Sequence, residues 1–176
     1  MRIWDGRYRI ERTLGEGGMG QVVLAKDLGQ GQQPVAVKLL NSEHRDQTTD
    51  FMREYAVQRR LDHPAIPRVH AFGFGEHNSR EVPYFVMDFV RGIPLANALL
   101  TLKDPKQAWP WILETLRALD HMHDAGFLHR DLKPGNILVS ADVDIETSAH
   151  LIDFGIAIGF GETPEELFIG TPEYMV

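Results

Sequence analysis

The distribution of hydrophobic residues in the first half of the chain predicts a sheet built from five strands. Short runs rich in β-branched and aromatic residues are separated by polar or glycine-containing turns, which is the pattern of strands joined by tight connections. The predicted strands lie at residues 8–14, 21–26, 35–40, 68–74 and 82–89. One helix is predicted over residues 51–61, where Thr48, Thr49 and Asp50 can cap its start and the dipeptide His63-Pro64 ends it.

A change of pattern at Pro94 predicts that the second half is mainly helical. We predict a short helix over residues 95–102 and a longer one over residues 108–125, with Pro110 in the first turn of the longer helix. Apolar residues recur at helical spacing along the longer helix, and we predict that this stripe is core. Its members are Trp109, Ile112, Leu116, Leu119 and Met122 or His123. Two short strands are then predicted at residues 137–139 and 150–153.

Length and composition are those of an ordinary globular domain. At 176 residues, with 43% hydrophobic and 24% charged residues, the chain can bury one sizeable core or the cores of two small lobes. A formal charge of −7 disfavours broad nucleic-acid binding, and the absence of cysteine excludes disulfides, thiolate nucleophiles and cysteine-based zinc sites. No apolar run is long enough to cross a bilayer, and residues 1–6 lack the apolar core of a secretory signal. We therefore expect a cytoplasmic protein without membrane or nucleic-acid partners.

The strongest candidate for chemistry is the octapeptide His-Arg-Asp-Leu-Lys-Pro-Gly-Asn at residues 129–136. It places a carboxylate at Asp131, a cation at Lys133 and an amide at Asn136 close together in the sequence. The proline and glycine before Asn136 favour a loop over a helix. This combination of groups is the equipment of a phosphoryl-transfer site.

A second candidate is the turn Gly-Glu-Gly-Gly-Met-Gly at residues 15–20. The Gly-x-Gly-x-x-Gly spacing alone is weak evidence, because Rossmann folds use it to open a helix whose N-terminus binds a pyrophosphate. Here residues 21–26 are strand-like, so the glycines cap a hairpin whose backbone amides can approach phosphates closely. A flexible hairpin without a ligand is the alternative that the turn by itself leaves open.

Three charged residues are ambiguous when each is considered alone. Lys38 lies in the middle of an apolar strand, where a buried ammonium group needs an anionic partner. Taken alone, an ammonium group that reaches the surface is the favoured arrangement. Glu54 shares a helical stripe with Gln58 and Leu61 and can supply that anion, although a solvent-facing glutamate paired with arginine is the favoured arrangement for it alone. Asp153, in an Asp-Phe-Gly triplet after an apolar strand, suits a magnesium ligand or a simple turn.

Taken in their order along the chain, these motifs resemble the protein kinase signature set. The glycine-rich loop of that set is matched by Gly15, Gly17, Gly20 and Val22. The lysine strand, the helix glutamate, the catalytic loop and the metal-binding triplet are matched by Val35-Ala36-Val37-Lys38, Glu54, residues 129–136 and Asp153-Phe154-Gly155. Lys133 and residues 170–174, Gly-Thr-Pro-Glu-Tyr, are similar to those of serine/threonine kinases, and the spelling of the glycine-rich loop is similar to that of bacterial ones.

This resemblance implies an α+β fold of the protein-kinase type. Its N-terminal lobe, residues 1–88, would carry a five-stranded antiparallel sheet with one helix, residues 89–92 would form a hinge, and residues 93–176 would form part of a mainly helical C-terminal lobe. The family continues into an Ala-Pro-Glu motif, whereas this sequence stops at Met175-Val176, so we expect a truncated domain. Truncation predicts exposed apolar surface on the 108–125 helix and a partner that covers it.

The resemblance also implies roles in transferring the γ-phosphoryl group of Mg-ATP to protein serine or threonine hydroxyls. Asp131 would align the hydroxyl, Lys133 would balance charge on the transferring group, and Lys38, held by Glu54, would bind the phosphates. Magnesium would be held by Asn136 and Asp153. The adenine site would comprise the gatekeeper Met87, the backbone of Asp88 and Val90, and an apolar sandwich of Leu14, Val22, Ala36 and Leu138.

A truncated serine/threonine kinase is thus the leading hypothesis, and an ATP-binding module without turnover and an inactive gene fragment are the alternatives. Gln58 stands where related kinases place an apolar residue, so we expect Phe154 to meet an amide. Thr163 is the lone hydroxyl residue between the metal-binding triplet and residues 170–174, and we predict that it is autophosphorylated. Arg130 is the cation predicted to receive its phosphate.

Overall fold

A computed structural model describes residues 3–17, 20–41, 47–77, 79–140, 149–155 and 157–160. The described chain folds into two compact units. The first contains the residues up to Tyr55 together with Arg68–Phe89, and the second contains Ala56–Pro67 together with the residues from Val90 onward. Among the described residues, no helix has the length and apolar character that a transmembrane span requires.

An antiparallel sheet forms the framework of the first unit, and among the described residues it has six strands in the order β1-β2-β3-β4-β6-β5. The strands are β1 (Ile3–Trp4), β2 (Tyr8–Glu16), β3 (Gly20–Asp27), β4 (Gln33–Leu40), β5 (Val69–His77) and β6 (Arg80–Asp88). All five predicted strands are present, and the predicted α+β class is confirmed.

The predicted strand count was one too low, because β1 has only two residues and is too short for its alternation to be read from the sequence. A tight turn holds it in place: Asp5 and Gly6 have φ angles of 52° and 62°, and Arg7 N donates to Trp4 O at 2.9 Å. The Trp4 ring packs edge-on against Tyr84, with centroids 5.4 Å apart. The strand is therefore specified by its turn and its packing.

The helix of this part of the chain, α1 (Thr48–Arg59), begins three residues before the predicted position and crosses from the first unit into the second. Its first half packs on the sheet through Phe51, which forms a buried cluster with Leu40 and Phe85. The central strand β4 is buried from Val35 to its end, and these residues are apolar except for Lys38.

The second unit contains the helices α2 (Leu95–Leu99) and α3 (Trp109–Asp124), so the predicted shorter helix ends three residues early and the longer one is close to its predicted bounds. Within the described ranges, five short strands accompany them. They are β7 (Ile93–Pro94), β8 (Phe127–Leu128), β9 (Ile137–Val139), β10 (Ala149–Leu151) and β11 (Ile158–Gly159). Strand β11 pairs with β8. Strand β9 pairs antiparallel with both β10 and β7.

The predicted core stripe of α3 was wrong in its first half. Trp109 and Leu116 are 58% and 54% exposed, and Ile112 is also exposed. The buried side of the helix is instead formed by Thr115, Ala118 and Met122, with Trp111 and Leu119 packed against the core. Apolar residues occur on most sides of this helix, so helical spacing alone selects no single face. The buried stripe includes a threonine whose hydroxyl is satisfied by Trp111 O at 2.8 Å.

Candidate active site

The glycine-rich turn joins β2 and β3 as a hairpin, as predicted. Strand pairing continues to Glu16 opposite Gln21, and Gly17 N donates to Gly20 O at 2.9 Å. A Cβ on Gly20 would lie 2.1 Å from Leu39 O, so the packing of β3 on β4 requires a glycine there. A Cβ on Gly15 or Gly17 would meet nothing within 4 Å. These two positions therefore leave open space beside the backbone, and residues 18 and 19 lie outside the described residues.

Lys38 and Glu54 form a buried ion pair in the first unit. The ammonium of Lys38 on β4 donates to Glu54 Oε1 on α1, and the two residues are 9% and 2% exposed. Each residue considered alone favoured a solvent-facing side chain, so both of these interpretations were wrong. Burial of either charge without the other would be costly, and the pairing satisfies both.

The residues predicted to enclose adenine are divided between the two units. In the first unit, Ala36 on β4 is buried and lies opposite Met87 on β6, and Val22 lies opposite Lys38. Leu14 is exposed on β2, and Asp88 is the last residue of β6. Val90 and Leu138 belong to the second unit, both half-buried. Their part in binding adenine stays a prediction.

In the second unit, residues 129–136 form a loop that ends in the 3-10 turn Pro134–Asn136. Lys133 Nζ lies 2.7 Å from Asp131 Oδ2, and Asn136 Nδ2 donates to the same oxygen at 2.9 Å. The amide nitrogen of Asn136 also donates to Asp131 O at 2.9 Å. The carboxylate of Asp131 is thereby held by a cation and an amide, with its orientation fixed by short contacts within the loop.

His129 connects this loop to the segment before Asp153, a role that we had not assigned to it from the sequence. The ring is 3% exposed, its Nε2 lies 3.3 Å from Ile152 O, and its Nδ1 accepts from Asp131 N at 3.3 Å. These partners require a neutral ring with the proton on Nε2. Burial lowers the pKa of His129, and the hydrogen bond to Ile152 O offsets part of this effect. The lowered pKa agrees with a neutral ring. Its first place in the octapeptide was the only sequence signal for this role.

Asn136 and Asp153 lie close together because Ile152 N donates to Asn136 O at 2.9 Å. Asp153 is exposed, with a φ of 65°, and Arg130 has a φ of 63°. Both are non-glycine residues in the left-handed region, which costs about 1–3 kcal/mol each and is typical of functional sites. Within the described residues, no group of three or more His, Cys, Asp or Glu side chains is arranged to hold a metal ion. A metal held here would have one carboxylate and one amide from the protein.

The amide of Gln58 has a partner of its own. Gln58 is buried, and its Nε2 donates to Pro67 O at 2.8 Å. Phe154 packs against the ring of His129, with centroids 5.4 Å apart. The expected contact of Phe154 with the amide of Gln58 stays a prediction. Thr163 and residues 170–174 lie outside the described residues.

Comparison with known proteins adds a family-level result. A family model described as the protein kinase domain matches residues 8–176 of this chain. Serine/threonine-protein kinase pkn2 from Myxococcus xanthus is 35% identical over 184 residues, which cover 98% of this chain and 21% of pkn2.

Two mycobacterial proteins are similar to the same extent. Serine/threonine-protein kinase PknA from Mycobacterium tuberculosis is 37% identical over 97% of this chain and 41% of its own length. Serine/threonine-protein kinase PknB from the same organism is 36% identical over 96% of this chain and 28% of its own length. The chain thus spans between about one fifth and two fifths of the length of these curated relatives.

Proposed function

Because this chain belongs to the protein kinase family, we propose that it transfers the γ-phosphoryl group of ATP to serine or threonine hydroxyls of a protein substrate. The observation that carries the proposal is the carboxylate of Asp131, which Lys133 and Asn136 hold at 2.7 and 2.9 Å through one oxygen. The named relatives, all serine/threonine-protein kinases, support the same class of substrate.

In this proposal each charged group acts where charge develops during transfer. Asp131 orients the attacking hydroxyl and accepts its proton as the new oxygen–phosphorus bond forms. Lys133, next to that carboxylate, balances charge on the transferring group, and Lys38, held by Glu54, binds the α- and β-phosphates. Positioned proton transfer supplies roughly 10²–10⁴-fold, so alignment and electrostatics supply the rest.

Asn136 and Asp153 are the residues that would hold Mg²⁺, and their chemistry fits this ion. Asn136 uses its amide nitrogen in two hydrogen bonds to Asp131, which directs the nitrogen away from a cation and leaves oxygen as its ligand atom. Carboxylate and amide oxygens suit Mg²⁺, which commonly takes one or two protein carboxylates and completes its shell with phosphates and water. When bound, Mg²⁺ neutralises charge on the phosphates.

The adenine ring is placed in this proposal against Leu14, Val22, Ala36 and Leu138, with Met87 as gatekeeper and the hinge at residues 89–92. Support for this arrangement comes from Ala36, whose small buried side chain lies opposite Met87. Backbone groups of Asp88 and Val90 supply the hydrogen bonds to the base. The small side chain of Ala36 would leave room for a flat ring beside it, among apolar neighbours.

A protein partner for the exposed apolar side of α3 is also part of the proposal. Large apolar residues there are open to solvent, and exposed apolar patches commonly mark interaction surfaces. They are Trp109, Ile112, Leu113 and Leu116.

We place the reaction in the cytoplasm, where cells hold their ATP.

The proposal is tested by incubating the purified chain with γ-labelled ATP, Mg²⁺ and a generic basic protein. We expect acid-stable label on serine or threonine of that protein or of the chain itself, lost on chelation of Mg²⁺ and in Lys38→Met. A rise in melting temperature with Mg-ATP but no label would identify an ATP-binding module without turnover. Absence of both label and temperature shift would contradict the proposal in either form.

A further inference from the structure

The end of β6 and the start of β5 are fastened together by one residue, Asp88. Its backbone N donates to Arg68 O at 3.0 Å, and its carboxylate Oδ2 accepts from Arg68 N at 3.0 Å. The other carboxylate oxygen, Oδ1, lies 2.6 Å from Nε2 of His70. Because a carboxylate can only accept, we assign the proton of this hydrogen bond to Nε2. Three hydrogen bonds thus connect Asp88 to two residues of the neighbouring segment.

This cluster lies where the chain passes between the two units. Arg68 is the residue at which the chain returns to the first unit, and Phe89, directly after Asp88, is the last residue before it leaves. The carboxylate of Asp88 therefore holds the start of β5 and the end of β6 side by side within the first unit. A clamp at this position fixes the backbone that enters the predicted hinge.

A β-bulge directs His70 toward Asp88. Val69 pairs with Met87 and Ala71 pairs with Val86, so the register of β5 on β6 shifts between them and His70 is the extra residue. Bulges redirect a side chain and recur beside functional sites. His70 and Asp88 are both exposed, and an exposed ion pair contributes little to stability. The bulge thus supports a role in positioning over a role in stability.

We infer that the Asp88 carboxylate, held by His70 and Arg68 N, is a positioning group: it fixes the main-chain carbonyl of Asp88 for the base contact of the proposed function and so sharpens the selectivity for adenine nucleotides. The inference rests on the proposed function, in which the backbone of Asp88 contacts the base. The N–H of Asp88 is already donated to Arg68 O, so the main-chain group that it can offer a base is the carbonyl oxygen, an acceptor.

Purine chemistry gives this carbonyl a direct means of selection. Adenine presents an amino donor at position 6, whereas hypoxanthine and guanine present an oxygen acceptor there. An acceptor facing the 6-amino group forms a hydrogen bond, and an acceptor facing a 6-oxo group leaves two unpaired acceptors in contact. A carbonyl that is free to move discriminates less well, because it can turn away from the oxygen.

The test compares ATP with inosine triphosphate, which differs from ATP in this group and in the protonation of N1. The Michaelis constants and kcat for both nucleotides are measured for the wild type, Asp88→Ala, His70→Phe and His70→Gln. Glu81→Ala removes a carboxylate from the other end of β6, at an exposed position, and is the matched control.

We expect Asp88→Ala to lower the ratio of kcat/KM for ATP to kcat/KM for inosine triphosphate by about five- to tenfold, the worth of one well-placed hydrogen bond. Most of this change should come from a higher KM for ATP. His70→Phe should lower it less, His70→Gln should restore it because glutamine again donates to Asp88, and Glu81→Ala should leave it unchanged. If Asp88→Ala does not fold, the two His70 variants carry the same comparison.

A lower melting temperature with an unchanged nucleotide ratio in both Asp88→Ala and His70→Phe would overturn the inference and leave the proposed function intact. Failure of the wild type to bind or use either nucleotide would overturn the proposed function, and the inference with it. The two failures are therefore separated by the wild-type measurement.

Discussion

Removing one member of the Lys38–Glu54 pair should destabilise the protein more than removing both. The pair is buried, with Glu54 only 2% exposed, so Lys38→Met leaves an uncompensated carboxylate in the first unit. Such a change costs about 3–5 kcal/mol, which corresponds to a loss of roughly 6–20 °C in Tm at about 2–4 °C per kcal/mol for chains of this length. In the double variant Lys38→Met/Glu54→Leu neither charge of this pair remains, and apolar side chains of similar volume should recover most of this loss.

The assay is urea or thermal unfolding of the wild type, the two single variants and the double variant, followed by circular dichroism. A matched control is the partly exposed pair of Lys26 and Glu11, whose charged atoms lie 3.3 Å apart on the same sheet. Its double-mutant cycle should show a coupling of about 0–1 kcal/mol. Strictly additive losses at Lys38 and Glu54 would refute the reasoning. Phosphoryl transfer should be lost in the stable double variant, which separates catalysis from folding.

Three further predictions concern the glycine turn, the buried histidine and the helix face. Gly20→Ala should lower Tm well below that of Gly15→Ala, because only the first Cβ meets Leu39 O; equal Tm values would contradict this. Burial lowers the pKa of His129, so below about pH 6.5 the unfolded chain takes up a proton that the folded ring does not. The free energy of unfolding should therefore fall as the pH drops below this value, by at most about 1.4 kcal/mol per pH unit. A His129→Gln variant with the same pH slope would exclude this ring as the cause. Leu116→Gln should change stability little and Ala118→Leu should cost about 1–3 kcal/mol, and the reverse order would restore the originally predicted face of α3.

Local patterns allowed the framework to be predicted. The glycine-rich turn was assigned to a hairpin because the residues after it are strand-like, and the hairpin between β2 and β3 confirms that choice. The loop at residues 129–136 was predicted from Pro134 and Gly135, and its 3-10 turn begins at that proline. Features of this kind depend on a few consecutive residues, so sequence is sufficient to identify them.

Features that depend on contacts between distant segments could not be predicted in the same way. Lys38 and Glu54 are 16 positions apart, and their individual environments favoured exposure until the order of all the motifs was considered. The position of His70 depends on a one-residue shift of register between β5 and β6, which no local pattern reveals. The buried side of α3 is likewise chosen by the core that it meets, because its sequence is apolar on several sides.

The central claim is that Asp131, held by Lys133 and Asn136, is the base of a phosphoryl-transfer site. The most direct test is the initial rate of label transfer from Mg-ATP by the wild type and by Asp131→Asn, with ATP binding measured in parallel. We predict a rate lower by at least about 10²-fold in Asp131→Asn, with ATP still bound. A variant that binds ATP and transfers phosphate at a rate close to that of the wild type would contradict the claim.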